Sequence, residues 1–203
     1  MTTADRTLLV ATTNAGKLRE IAAILAGVPL ELLTLRDVAQ VPEPEETGAT
    51  FAENARLKAR YYSEAAGLLS VADDSGLEID ALDNAPGVHS ARWHGSDYAV
   101  KFRVIQELLQ ARSASGSRAR FVCHVAVALR DEILFEAEGI VEGVIAPEPR
   151  GENGFGYDPI FFYPPLGRTL AELDSAEKSA VSHRGKAFKA LRDHLLAHPA
   201  LIG

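Results

Sequence analysis

One cysteine, Cys123, in 203 residues leaves nothing to pair in a disulfide and excludes a cysteine metal cluster. A lone thiol of this kind reads as a small buried hydrophobe rather than a nucleophile. Long apolar runs are missing too. None approaches the roughly 20 residues that a membrane-spanning helix requires. The start, Met1 to Arg6, is short and polar before Leu8-Leu9-Val10, too brief for the apolar stretch of a secretory signal. A cytoplasmic location with no membrane partner is the expectation. Basic charge is also in deficit: 21 Lys and Arg against 28 Asp and Glu give a formal charge of −7. No basic stripe is present of the kind that grips nucleic acid.

What is there suits a globular protein and argues against disorder, with 47% apolar and 24% charged residues. An acidic chain can still bind a small polyphosphate if it gathers a few cations and recruits a metal against like-charge repulsion. The informative residues are therefore local clusters of cations and the carboxylates that could hold a metal.

Hydrophobic periodicity predicts a strand over Thr7–Ala11, a polar turn at Thr12–Gly16 and a helix carrying Leu18, Ile21, Ala22 and Leu25 on one face, stopped at Gly27. A second strand is expected at Leu30–Leu35. Thr50 and Glu53 have capping-box spacing, which starts a helix at Phe51 that ends at Gly67. Leu68–Ala72 reads as a strand leading into Asp73-Asp74-Ser75-Gly76, and Leu77–Leu82 as a separate half-buried strand. A helix from about Asp97 to Gln110, strands at Phe121–Leu129 and Ile133–Ile145, a short strand at Ile160–Tyr163 and a helix after Ser182 complete the pattern. Early alternation of strands and helices, then long adjacent strands, gives an α/β fold with a mixed sheet. No linker divides residues 1–203, so one domain is expected.

Five segments could carry chemistry. Thr12-Thr13-Asn14-Ala15-Gly16-Lys17 joins a strand to a helix. Free N–H groups and Lys17 could bind phosphate there, or the segment is an ordinary capped turn. It is no Walker A loop, since the glycine spacing and the hydroxyl after Lys17 are missing. Asp73 and Asp74 repel each other and suit a strand poorly, so a structural purpose is hard to supply. Side chains alternate along a strand, so only one faces a given site, and which one is left open. The acidic loop Glu43–Gly48 is a second source of carboxylate. Asn54 and Lys58, four apart on the following helix, read by themselves as a solvent-facing stripe. Gly154-Phe155-Gly156-Tyr157-Asp158 could lay an aromatic ring against a flat ligand. Lys178, Ser182-His183-Arg184 and Lys186 gather cations at a helix start, either an anion site in which Arg184, all donor, suits a base bearing an exocyclic oxygen, or surface charge beside an N-cap. The other histidines show no metal-ligand spacing.

In this order the segments resemble the inosine triphosphate pyrophosphatase family, the Ham1-like non-canonical purine triphosphate pyrophosphatases, from about Leu8 to His194. Thr13–Lys17, Glu46-Thr47-Gly48, Asn54-Ala55 with Lys58-Ala59, Ala72–Leu77, Ala85–Val88, Gly154–Pro159 and Lys178 with Ser182–Gly185 carry the likeness. The resemblance implies a cytoplasmic homodimer whose single domain has two α/β lobes around a long mixed sheet, with nucleotide in the central cleft. It implies conversion of ITP, dITP and XTP to monophosphate and pyrophosphate. Thr12, Thr13, Asn14, Ala15, Gly16 and Lys17 would hold the triphosphate, and Glu46 with Asp74 a Mg²⁺. Asp74 would activate water, Lys58 would neutralise phosphate charge, and Ser75 would touch substrate. Phe155, Gly156, Tyr157, Asp158, Lys178, His183 and Arg184 would shape the base pocket. Rival readings are a Maf-like pyrophosphatase of other base preference and a nucleotide-binding regulator without turnover.

Overall fold

The computed structural model describes residues 6–202, so the polar start read from Met1 onward lies, but for Arg6, outside the described residues. Seven strands form one mixed sheet in the order β2-β1-β3-β4-β5-β6-β7. They are β1 (Thr7–Val10), β2 (Glu31–Thr34), β3 (Ser70–Ile79), β4 (Arg118–Leu129), β5 (Glu132–Ile145), β6 (Phe161–Tyr163) and β7 (Arg168–Thr169). Five α-helices accompany them: α1 (Ala15–Leu25), α2 (Phe51–Ala66), α3 (Tyr98–Ala111), α4 (Ser175–Val181) and α5 (His183–Ala197). β1 is parallel to β2 and to β3, whereas β6 is antiparallel to β5 and to β7. β4 and β5 are neighbours joined by the turn Arg130-Asp131, a hairpin connection.

The chain divides into two compact units. The first comprises Met1–Asp74, Cys123–Gly139 and Arg184–Gly203; the second, Ser75–Val122 and Ile140–His183. In the first unit the strand period of two builds two cores. Leu8, Val10, Val71, Cys123, Val125 and Val127 pack with α1 and α5 through Ile21, Ile24, Phe188 and Leu191. The alternate residues Leu9, Ala11, Ala72, Ala126 and Ala128 pack with α2 through Ala55, Ala59 and Tyr62. A chain that runs β1-α1-β2 outward and returns by α2 to β3 on the far side of β1 must place its two helices on opposite faces, because each crossover is right-handed. The second unit has its own core, in which Leu77, Phe121, Val141 and Phe161 meet Ile105 and Leu109 of α3.

The expected elements α1, β2, α3, β4 and β5 recur within a few residues of their predicted bounds. The capping box at α2 is present, with Thr50 Oγ1 accepting from Glu53 N and Glu53 Oε2 accepting from Thr50 N, both at 3.2 Å. Gly67 closes the helix at φ +67°. One expectation fails. Asp73 to Gly76 do not interrupt a strand; they lie inside the ten-residue β3. Weak strand propensity loses here to tertiary partners of the carboxylates. The two-residue β7 and the separate α4 were not expected, as neither is long enough to show a period.

The seam between α2 and the sheet is made of alanines, so a larger side chain must push the helix outward. Ala59→Leu is expected to destabilise the protein by about 1–3 kcal/mol. Urea unfolding of the variant beside the parent measures it.

Candidate active site

Strand alternation divides the two aspartates between the two faces of β3. Asp73 follows Val71 toward α1 and α5, and Asp74 follows Ala72 toward α2. Each then meets the cations of its own side.

On the Asp73 side, Oδ2 lies 2.9 Å from Lys17 Nζ and 3.5 Å from Arg184 Nη2, and Arg184 Nη1 lies 2.8 Å from Glu20 Oε2. Asp73 and Arg184 are buried, at 3% and 2% exposure. Burial opposes the Asp73 charge, but Lys17 and Arg184 outweigh it and hold the carboxyl well below the usual range. The Cys123 thiol, 3.7 Å from Asp73, is fully buried and pushed up by burial and then by that carboxylate. It is a packed hydrophobe, as its isolation in the sequence suggested.

On the Asp74 side, Lys58 Nζ sits 2.7 Å from Glu46 Oε1 and 3.0 Å from Asp74 Oδ1. Asn54, fully buried, accepts from Gly48 N at 2.8 Å and donates Nδ2 to Asp74 Oδ2 at 3.2 Å. A Cβ on Gly48 would stand 2.6 Å from Asn54 Oδ1, so glycine is required for that clasp. Asn54 and Lys58 are thus no solvent-facing stripe. Spacing alone could not tell which face of α2 met the sheet; the alanines at 55 and 59 carried that signal. Burial raises the Asp74 carboxyl above its ordinary 3.8, with Lys58 and Lys17 opposing and Glu46 adding to the rise. For Lys58, burial acts against the charge, while Asp74, Asp73 and Glu46 keep its ammonium raised above the ordinary value.

The turn before α1 differs from expectation in one respect. Asn14 caps the helix, and its Oδ1 accepts from Gly16 N at 2.8 Å and Lys17 N at 3.0 Å. Thr12 Oγ1 accepts from Asn14 N at 3.2 Å. Two of the N–H groups that a helix start offers an anion are therefore held by Asn14. The positive charge of the segment rests on the Lys17 ammonium. This turn follows β1, and Asp73-Asp74 lie in β3 just beyond its stretch paired with β1, where the strand order reverses; ligands of open α/β sheets bind at such switch points.

The second unit builds its own cluster. Gly154 and Gly156 take φ of +71° and +67°, which folds the loop back so that Phe155 N donates to Asp158 Oδ2 at 2.7 Å. Lys178 Nζ donates to the same oxygen at 2.6 Å and lies 4.7 Å over the Phe155 ring. Tyr157 is 3% exposed, packed edge-on against Tyr98, and donates to Ser90 O at 3.0 Å. Its ring belongs to the core, which leaves half-buried Phe155 as the accessible aromatic. His183 is buried and stacks on Phe121 at 4.7 Å. Ser75, directly after Asp74, is half-buried. Sequence reasoning missed Lys101, fully buried under Tyr98 and donating to Ser90 O and Ala91 O, because an isolated lysine on a helix gives no signal of burial.

Glu46 and Asp74, converging on one cation, also suit a divalent metal. Mg²⁺ takes one or two carboxylates and leaves its other positions to water and phosphate oxygens. A site built wholly of protein is not offered: no group of three or more His, Cys, Asp or Glu is placed to hold a metal among the described residues.

The two aspartates should differ in stability. Asp73→Asn leaves buried Arg184 and half-buried Lys17 short of charge and is expected to cost about 3–5 kcal/mol. Asp74→Asn relieves a carboxyl already disfavoured by burial and is expected to cost far less. Because the Asp73 carboxyl is depressed, its contribution is complete above the unfolded value of 3.8 and is lost as pH falls toward the lower folded value. Denaturant midpoints from pH 7 down to 3 check both, the Asp73→Asn midpoint falling less steeply in acid than the parent's.

The Ham1 family model matches residues 8–194. The chain is 49% identical to the dITP/XTP pyrophosphatase of Geobacter sulfurreducens over 191 residues, 93% of this chain and 96% of that one. It is 48% identical to the protein of that name from Shigella flexneri over 194 residues, covering 93% and 97%. A Ham1 protein from Coxiella burnetii superposes with a TM-score of 0.87 at 42% identity, over 95% of this chain and 99% of that one. A nucleoside-triphosphatase / dITP/XTP pyrophosphatase from Mycobacterium abscessus gives 0.71 at 44%, covering 91% and 98%. Matched by the family model over residues 8–194 and aligned with these relatives over more than nine-tenths of its length, the chain belongs to the Ham1 family.

Proposed function

We propose that this chain hydrolyses non-canonical purine nucleoside triphosphates, ITP, dITP and XTP, to the monophosphate and pyrophosphate, with Mg²⁺ as cofactor. The names of its relatives support the substrate class. The observation that carries the chemistry is the charge count on the two faces of β3. In the ion pairs described, Lys17 and Arg184 face Asp73 and Glu20, two cations to two acids, whereas Lys58 faces both Asp74 and Glu46, one cation to two acids. The second cluster is the one that gains from a further cation, so Glu46 and Asp74 are the proposed metal ligands.

Bound there, the metal would supply charge neutralisation on the phosphoryl oxygens. Asp74, oriented by Asn54, would accept a proton from the attacking water as the bond to the α-phosphorus forms and the bond to pyrophosphate breaks. Lys58 and Lys17 balance charge on the phosphates and on the departing pyrophosphate. Asn54 fixes the rotamer of Asp74 through its Nδ2 bond. Thr12 to Gly16 line the triphosphate beside Lys17, and Ser75 contacts substrate. In the second unit, Phe155 offers a ring face for the base. Lys178, an ammonium with donors and no acceptor, favours an exocyclic oxygen over an amino group, with Gly156, Tyr157, Asp158 and His183 shaping the loop; a base contact by Arg184 is proposed from the family resemblance alone. Residues 1–203 act as one pyrophosphatase domain in this reading. A homodimer in the cytoplasm is proposed from the family resemblance, and light scattering tests the dimer. No helix among the described residues is long and apolar enough to cross a membrane.

Asp74→Asn, at saturating Mg²⁺, is expected to lose roughly 10²- to 10⁴-fold in turnover, read as pyrophosphate release from ITP. Near-parental turnover would overturn the assignment. Chelation should abolish release and added Mg²⁺ restore it. In a panel of purine and pyrimidine triphosphates, kcat/KM for ITP and XTP should exceed that for ATP by at least about tenfold. Equal values, or a preference for a pyrimidine, would refute the base assignment.

A further inference from the structure

The first unit holds a pocket of about 840 Å³ outside the two charge clusters. It opens over the ends of β1 and β2, on the side of the Thr12-Thr13 turn away from β3, and neither Glu46, Lys58, Asp73 nor Asp74 lines it. Its size falls in the range of small-molecule sites, roughly 300–1,000 Å³, as does its make-up of an apolar wall with a few polar groups. Leu18, Leu35, Val41 and Tyr62 form the wall, and Arg19 and Arg36 reach in from α1 and from the turn after β2.

Those two arginines are the unexplained feature. Most guanidinium groups in this chain have a carboxylate: Arg56 has Glu136, Arg120 has Glu78, Arg168 has Glu177 and Arg184 has Glu20. The guanidiniums of Arg19 and Arg36, both exposed, make no ion pair within 4.0 Å and no side-chain hydrogen bond among the described residues, and the carboxylate that acts on Arg36 is its neighbour Asp37, outside the pocket lining. Both line one pocket in a chain whose acids outnumber its bases. Guanidinium groups bind phosphate through paired N–H donors, and two of them demand an anion of more than one negative charge. Gln40 and Glu43 at the rim offer acceptors for hydroxyl groups, while the wall asks for an apolar ring body. Phosphate, hydroxyls and a ring together describe a nucleoside monophosphate.

We infer that this pocket is a second nucleotide site, taking a purine nucleoside monophosphate with its phosphate on Arg19 and Arg36. The choice of a purine rests on the proposed reaction, which would release that product beside the pocket; the site itself does not. Thr12 and Thr13 line both the pocket and the proposed triphosphate segment, so a molecule held here bears on the turn that carries Lys17. Occupancy would then be felt as product inhibition that substrate does not relieve.

The probe is inosine 5′-monophosphate, titrated calorimetrically into the full chain already saturated with a non-hydrolysable ITP analogue and Mg²⁺. Saturable binding of one equivalent under these conditions is expected. It should weaken at least about tenfold in the double variant Arg19→Gln/Arg36→Gln, the loss of about 1.4 kcal/mol. Inosine, which lacks the phosphate, and inorganic phosphate, which lacks the ring, should each bind weakly. The double variant should keep parental kcat and KM for ITP but lose the component of inosine monophosphate inhibition that high ITP does not overcome. No binding in the presence of the analogue overturns the second site, as does unchanged affinity in the double variant. A raised KM for ITP in that variant also overturns it, since the pocket would then be part of the substrate site. Binding at Arg19 and Arg36 in a protein that releases no pyrophosphate from any triphosphate would refute the proposed function and leave the site standing.

Discussion

Two adjacent aspartates in one strand cannot point the same way, and the first unit is arranged around that constraint. β3 sends Asp73 to the face covered by α1 and α5 and Asp74 to the face covered by α2. Opposite faces keep two like charges from competing for one set of cations. They also give the two carboxyls opposite shifts, Asp73 downward and Asp74 upward. Asp73 ties Lys17 of α1 to Arg184 of α5, two helices far apart in sequence, at one buried point. Asp74 meets a lysine it must share with Glu46.

Helix placement follows from the strand order and supplies each aspartate with its partners. Right-handed crossovers on either side of β1 put α1 and α2 on opposite faces, so a lysine near the start of one helix and a lysine within the other reach β3 from opposite sides. The alanine seam under α2 has a part in this. Ala55 and Ala59 alternate with Asn54 and Lys58 along the helix, and facing alanines in β3 and β4 let the backbone come close enough for side chains of ordinary length to span the gap. A bulkier seam would hold the same residues out of reach of Asp74.

Much of this was legible in the sequence, and what was not had physical reasons. The period of α1 and the capping box of α2 gave their elements, because both signals are local. Asp73 and Asp74 stood out because charge in an apolar strand demands a partner. The sequence could not say which cation each would take, since alternation fixes that the faces differ and not which helix covers which face. Spacing put Asn54 and Lys58 together but could not show that their side of the helix was sheltered. Asn14 read as part of an anion loop; that it would turn its own oxygen onto Gly16 and Lys17 depended on its χ angles, which no pattern encodes. Phe155 and Tyr157 looked equivalent two residues apart, yet the αL glycines between and before them send one ring to the core and leave the other accessible.

The electrostatics of the two clusters extend the division that alternation began. Around Asp73 the cations Lys17 and Arg184 hold the carboxyl ionised far into acid, and that carboxylate in turn keeps the two helices tied at one point. Around Asp74 burial works the other way and lifts the carboxyl. Lys58 occupies the point where Glu46 and Asp74 converge and balances one of their two charges. The proposed divalent cation would offset the other. Two clusters of different charge, separated by a single peptide unit of β3, thus arise from two copies of the same residue placed on opposite faces of one strand.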